Sequence, residues 1–497
     1  VGLRSASDLF YFELDEKVSP DTLLSIVDSI NIFQAAVLVR AQSPQGEVFL
    51  QAAMPAFYLP PETGVKEEVF RAIPVMMFLR YAGGEHCWSS PTHFANLTVD
   101  DPWLAEPYGY LSYFGLLAEM EKSNFHTTIA FIPWNFDRST SAVGELFRRH
   151  PDRFSIAVHG NNHDHREFYK YQTSQVDYAA SKSLAKQEAS LRQGLARMEQ
   201  FTTLTGIPYD RIMIFPQGIA PQKTLNLLKK YDFLATINGT NVPIDAATPT
   251  DPIFYLRTFT MGFENFPSAV RYWPTRSSFA IALDLFCGNP LFFYTHHHFF
   301  ESGIAAFNRT AELVNKLEPG IAWRNLRTIV QSWYLERLRD DGHIDVVTFS
   351  HDFVLANRRP GNATFFVQKE ETFDLPINRV TVNDQTVSYE RAGDTLTFAL
   401  SLPAGASRQI IIEYANDFDP AQINVSKGDL RVALLRRLSD FRDRTLSQNL
   451  AGRTLTRYYY ELGLFRFGLL WLVSFLVVSG FLGLYFYRRL RKPGAIR

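Results

Sequence analysis

The feature that most constrains this chain is an apolar run, Phe94–Val99, that ends on two adjacent carboxylates, Asp100 and Asp101. Pro102 follows and has no N–H for a ladder, so a strand must stop there. A buried strand that delivers two acids at its tip is costly unless they share a proton or a metal. Two later runs repeat the pattern. Ser155–Val158 ends on His159-Gly-Asn-Asn-His163, and Pro290–Thr295 ends on His296-His297-His298. Apolar strands ending in acid or imidazole predict one site at one end of a sheet or barrel.

The segments between these runs predict the fold class. From 86 to 342 strands alternate with helices: strand Phe94–Val99, helix Tyr110–Ser123, strand Thr127–Pro133, helix Ala142–His150, strand Phe154–His159, and a long polar helix over 176–205. Such alternation argues for an α/β fold with parallel strands and helices outside, a distorted (β/α) barrel. The pattern continues to a helix expected over Trp323–Leu338. From 343 to 416 short alternating runs separated by Asn383-Asp384, Gly393-Asp394 and Pro403-Ala-Gly405 predict a β-sandwich. Residues 1–85 read as an α/β accessory region, with a capped helix opening at Ser19-Pro-Asp-Thr and strands at Ala35–Arg40 and Glu47–Ala52. Residues 417–462 are charged and read as a helical stalk.

Phe467–Tyr487 is uncharged, carries Trp471, Tyr485 and Tyr487 near its ends, and is followed by Arg488, Arg489, Arg491 and Lys492. A run of about 20 apolar residues spans a bilayer, and the positive flank belongs on the cytoplasmic side. The expectation is a single C-terminal transmembrane helix over 463–497 with its basic tail. The body then lies outside the cytoplasm, periplasmic or at the cell surface. Export calls for a signal sequence, which is not visible at Val1, so the N-terminus is expected to be processed or preceded by a further segment. The length of 497 residues calls for several domains. A net charge of −1 without a basic block argues against nucleic acid as a partner. Cys87 and Cys287 each precede a site strand; they are two buried thiols or a disulfide, and spacing does not decide which.

The chemistry follows from residue types. His159 and His163, four apart, can project to one side, and two imidazoles plus one carboxylate form a common set for Zn²⁺ and related divalent ions. The second acid is then free to act on water as a base. Strand alternation lets His296 and His298 share a side, and His296 is the candidate that protonates a leaving group. Trp103, Tyr108, Trp134 and Trp273 offer either core packing or a sugar-stacking surface.

Asp100-Asp101, His159-x3-His163, Phe215-Pro-Gln-Gly218 and the strand ending at His296 come in an order that resembles the polysaccharide deacetylase family, carbohydrate esterase family four, over about 86–300. The resemblance implies that Asp100 is the catalytic base and that Asp101, His159 and His163 bind the metal, with His296 as acid. It implies removal of N-acetyl groups from an extracytoplasmic polysaccharide or glycan. Thr98-Val99-Asp100-Asp101 matches the family's first motif, with Pro102 in place of Gly. Gly160 stands where the second motif has Ser or Thr, which removes a hydroxyl that steadies the loop. The third motif lacks its base-orienting Arg, since Ile214 or Phe215 occupies that place, and no Asp follows His296. The chain therefore resembles a divergent branch. Two other readings stay open. One is a metal-dependent glycosidase of the α-mannosidase type, with Asp137, Asp164 or Glu301 as acid. The other is an inactive, membrane-anchored glycan-binding subunit.

Overall fold

The computed structural model describes residues 2–6, 9–13, 21–28, 33–52, 67–164, 167–171, 178–371, 375–416 and 418–454. The centre is a nine-stranded sheet built on parallel strands: β1 (Phe94–Asp100), β2 (Thr127–Phe131), β3 (Phe154–His159), β4 (Asp210–Ile214), β5 (Ala235–Asn238), β6 (Ser268–Val270) and β7 (Leu291–His296). Spatial order runs β6-β5-β4-β3-β2-β1-β7, with Phe259–Thr260 at the β6 edge and Ala322–Trp323 against β1. All seven residues of β1 are buried, as expected for a strand covered on both faces. Tyr272, just past β6, brings the two ends of the sheet together. Its N–H donates to the Phe292 carbonyl (2.8 Å), and its own carbonyl accepts from Tyr294 N–H (2.9 Å).

Two of the helices outside the sheet start where the sequence supplies a cap. Ser112 accepts from Gly115 N–H to open Tyr113–Ser123, and Ser277 accepts from Ala280 N–H to open Ser278–Phe286. Their apolar faces join Leu97, Val99, Phe131 and Phe293 in the main core. The sandwich packs a five-stranded and a four-stranded sheet around Val346, Phe353, Phe365 and Ile410.

Four expectations are corrected here. Asp21–Asp28 is a strand, not the helix expected from Ser19, because it pairs antiparallel with Phe33–Ser43 and tertiary pairing outweighs a local cap signal. The Trp323–Leu338 helix is only Leu326–Gln331. Beyond it Tyr334–Leu338 pairs with Ile344–Thr348, so the sandwich sheet takes its first strand upstream of 343. The long polar helix starts at Leu184, with Tyr178–Ser181 a strand before it. The described part of the expected stalk does not lead away from the body. Helix Leu430–Asp440 and the turns after it fold back over the carboxyl ends of the parallel strands. Cys87 and Cys287 are free thiols. Phe467–Tyr487 lies outside the described residues; among those described, no helix is long and apolar enough to cross a membrane.

Candidate metal centre

β1 ends at Asp100, and the chain turns at once through Asp101, whose φ of 83° is a left-handed conformation that costs a non-glycine residue energy. Asp101 N–H still bonds the Ala130 carbonyl (3.2 Å), so the turn is pinned to β2. The two neighbouring carboxylates therefore point to different partners. Asp101 Oδ1 lies 3.3 Å from His159 Nε2 and 3.1 Å from His163 Nε2. One ligand atom from each of the three lies within 4.8 Å of the others.

His159 ends β3, and its Nδ1 sits 2.8 Å from the Ile214 carbonyl on β4. A carbonyl accepts only, so Nδ1 carries the proton and Nε2 offers its lone pair to the site. His163 is reached by a tight loop and has φ 51°. Glu167 holds that loop: its carboxylate accepts the N–H groups of Asn162 (3.3 Å) and His163 (3.0 Å). This carboxylate does the steadying that the resemblance assigns to a hydroxyl at 160. A side chain at 160 would not fit, because a Cβ there would stand 2.7 Å from Pro216 Cγ and 2.9 Å from Glu167 Oε2. Burial pushes the Glu167 carboxyl up to about 7 against the pull of the Asn162 and Asn161 N–H groups.

Asp100 is bound by a residue the sequence reading missed. Arg271, directly after β6, grips it through two parallel bonds, Nη1 to Oδ1 (2.5 Å) and Nη2 to Oδ2 (2.6 Å), with both side chains buried. The third motif indeed lacks its Arg, and the cation arrives from another strand instead. The available signal was a cation at the end of a short apolar run, Ser268-Ala-Val270-Arg271, the same pattern that marked Asp100. Burial alone would raise the Asp100 carboxyl; Arg271, then His159, outweigh it and hold it below the usual range. Burial likewise opposes ionisation of Asp101, but His163 and His159 pull it well below that range. Burial drives His163 down to about 3, against the pull of Asp101. For His159, burial lowers and the two carboxylates raise, and the carboxylates win.

His296 pairs in register with Asp100 across β7 and β1, and its Nε2 is 3.9 Å from Asp101 Oδ2. It is a third exposed and stacks on His298 at 5.4 Å. His297 turns the other way, to Asp443 at 3.3 Å. Asp137 and Asp164, weighed above as acids, are tied to Lys427 and Arg431, and Glu301 lies near the Tyr110 hydroxyl. Trp103, Tyr108 and Trp134 are buried; Trp273 is half-buried and stacks on His298.

A divalent ion fits these residues on three observations. The donors are one carboxylate and two imidazoles. The buried Asp101 Oδ1 has no hydrogen-bond partner although two ring nitrogens stand close to it. The Asp101 side chain remains 21% exposed, so a small molecule can reach it.

No family model and no curated protein matches the chain. Among solved structures it is similar to a family 4 carbohydrate esterase from Streptomyces lividans in complex with acetate, at 14% identity over 46% of this chain and 91% of that one, TM-score 0.27. It is similar to a putative polysaccharide deacetylase from Mycobacterium smegmatis, at 14% over 48% and 90%, TM-score 0.30. A Streptococcus mutans CE4 esterase matches at 12% over 47% and 86%, TM-score 0.29. Scores this low carry no argument about chemistry, which rests on the geometry above.

Proposed function

We propose that the protein is a metal-dependent deacetylase of the carbohydrate esterase family four type, hydrolysing N-acetyl groups on a polysaccharide or glycan. The observation that carries this reading is the convergence of Asp101, His159 and His163 beside an Asp100 held by Arg271. We read the curled parallel sheet as that family's distorted (β/α) barrel. Asp101, His159 and His163 would hold the divalent ion, Zn²⁺ by the character of the donors. Bound there, such an ion supplies Lewis acidity toward an acyl oxygen and a water molecule.

The chain's own residues do the rest. Arg271 keeps Asp100 ionised and fixes the plane of its carboxylate, leaving each oxygen a further lone pair to accept a proton from water. His296, at the same level on the neighbouring strand and open to solvent, would give a proton to the departing amine. Arg271 also removes one ground for the inactive-subunit reading, the missing base-orienting Arg. The binding of Asp137 and Asp164 to cations weakens the glycosidase reading. We place the body outside the cytoplasm, anchored by Phe467–Tyr487, on the strength of the basic tail after that run.

Elemental analysis of the purified protein and an acetate-release assay on N-acetylated glycans test the reading together. The expected result is one divalent ion per chain and free acetate. Release of sugar without acetate would favour the glycosidase, and a protein without metal or turnover would favour the binding subunit.

A further inference from the structure

The segment from Ser426 to Arg453 is not used by the chemistry above, yet it lies on the rim of the same site. Its contacts follow the order of the strands beneath. Above β3, Arg436 Nη2 donates to the His163 carbonyl (3.2 Å). Above β2, Val432 packs with Ile132 and Trp134. Asp440 joins the next two rims: it accepts from Trp103 Nε1 (3.1 Å), above β1, and pairs with Arg138 (2.6 Å), above β2. Above β7, the buried Asp443 reaches His297 Nε2 (3.3 Å). Gln448 then donates to the Gly109 carbonyl (2.7 Å), back on the β1 side. Arg138 and Arg444 stand over the Trp103 ring at 4.2 and 4.6 Å, which accounts for the burial of that aromatic.

These anchors close an arc over β3, β2, β1 and β7. Among the described residues no such anchor reaches the rim over β4, β5 and β6, where the half-buried Trp273 stacks on His298. A glycan threaded through the site by its middle needs two ways out. The strap leaves one.

We infer that the strap sets the substrate class: the site takes the acetylated sugar at a chain end, or a single such sugar, with the rest of the glycan leaving over β4–β6 past Trp273. This rests on the deacetylase reading and specifies its substrate.

The test uses the whole protein loaded with Zn²⁺ and a pentasaccharide of N-acetylglucosamine, with the position of each freed amine read by tandem mass spectrometry. One terminal unit is expected to lose acetate at least about tenfold faster than any interior unit, the scale that pocket shape alone provides. Interior units reacting as fast as the ends would overturn the inference and leave the deacetylase reading standing. No acetate from the pentasaccharide or from N-acetylglucosamine itself would overturn that reading, and the inference with it. In Asp440→Ala/Asp443→Ala, which cuts the anchors to Trp103, Arg138 and His297, the end preference is expected to fall about tenfold. An unchanged preference in the folded variant would remove the strap as its cause. Should that variant not fold, Gln448→Ala with Arg444→Ala provides the same comparison, and the wild-type pattern decides regardless.

Discussion

Two buried charge clusters in this molecule follow opposite rules. At the join of parallel sheet and sandwich, Glu371 is fully buried and saturated: Lys229 Nζ lies 2.6 Å from Oε2, while Lys369 and the Tyr414 hydroxyl both donate to Oε1. At the rim, Asp101 leaves Oδ1 without a hydrogen bond and sits on a strained backbone, as does His163. A saturated buried ion cluster locks two parts of a fold in register. An unsaturated one, held in place by strain and by its neighbours, is arranged to hold a ligand. The two clusters should therefore fail differently.

The largest effect is expected from Asp101→Ala, His159→Ala or His163→Ala. Each should lose the bound ion in elemental analysis and reduce acetate release by about 10³-fold or more, while the thermal transition of the apo protein stays in place. Full metal content in all three would break the comparison at its root. Glu371→Gln should do the reverse. It leaves two buried ammonium groups short of a counter-charge and should cost roughly 3–5 kcal/mol of stability in a denaturant titration, with metal content intact in the folded protein. Arg271→Met should retain the ion and lower kcat by about 10²-fold, because an ionised Asp100 then lacks its clamp. Arg271→Lys should recover only part of this, since an ammonium cannot match the paired geometry.

The smallest effect, and the sharpest separation, is in pH. His159 is raised above its ordinary value, and a proton on it competes with the ion. Zinc affinity should therefore decline as pH falls through a range above the usual imidazole value near 6.5. Protonating a group whose folded pKa is raised stabilises the apo fold, so this loss should precede any unfolding. Glu371 has the opposite sign. Burial would raise its carboxyl, but Lys369 and Lys229 hold it at about 2, below its ordinary value of about 4.5. Its contribution is present above that ordinary value and is lost as pH falls from about 4.5 toward 2. Zinc titrations and circular dichroism across pH should show two transitions; a single shared one would merge the clusters into one unit.

The residues of the candidate centre were legible because each is announced locally. Asp100-Asp101, His159 and His296 all terminate apolar runs, and His163 follows at a spacing one loop can close. Most strand positions from 94 to 296 were legible for the same reason, since period and length are short-range properties. Arg271 was not. It meets Asp100 only after the sheet has curled far enough for Tyr272 to bridge β6 and β7, a contact across 171 positions that leaves no mark in either segment. Asp21–Asp28 misled for a related reason: its cap signal is local, whereas the pairing that decides its state is not.

The amino-acid order thus marked the groups available for chemistry here, and placed two acids and two imidazole-bearing strand ends on one rim. Only the tertiary structure decided which acid meets a guanidinium and which meets imidazoles, and that residues expected to form a stalk instead close half of the rim. The reason is the range of the forces. Strand, turn and cap preferences act over a few residues, while the partner of a buried charge is chosen by the packing of the whole sheet, which brings together groups that the chain keeps far apart.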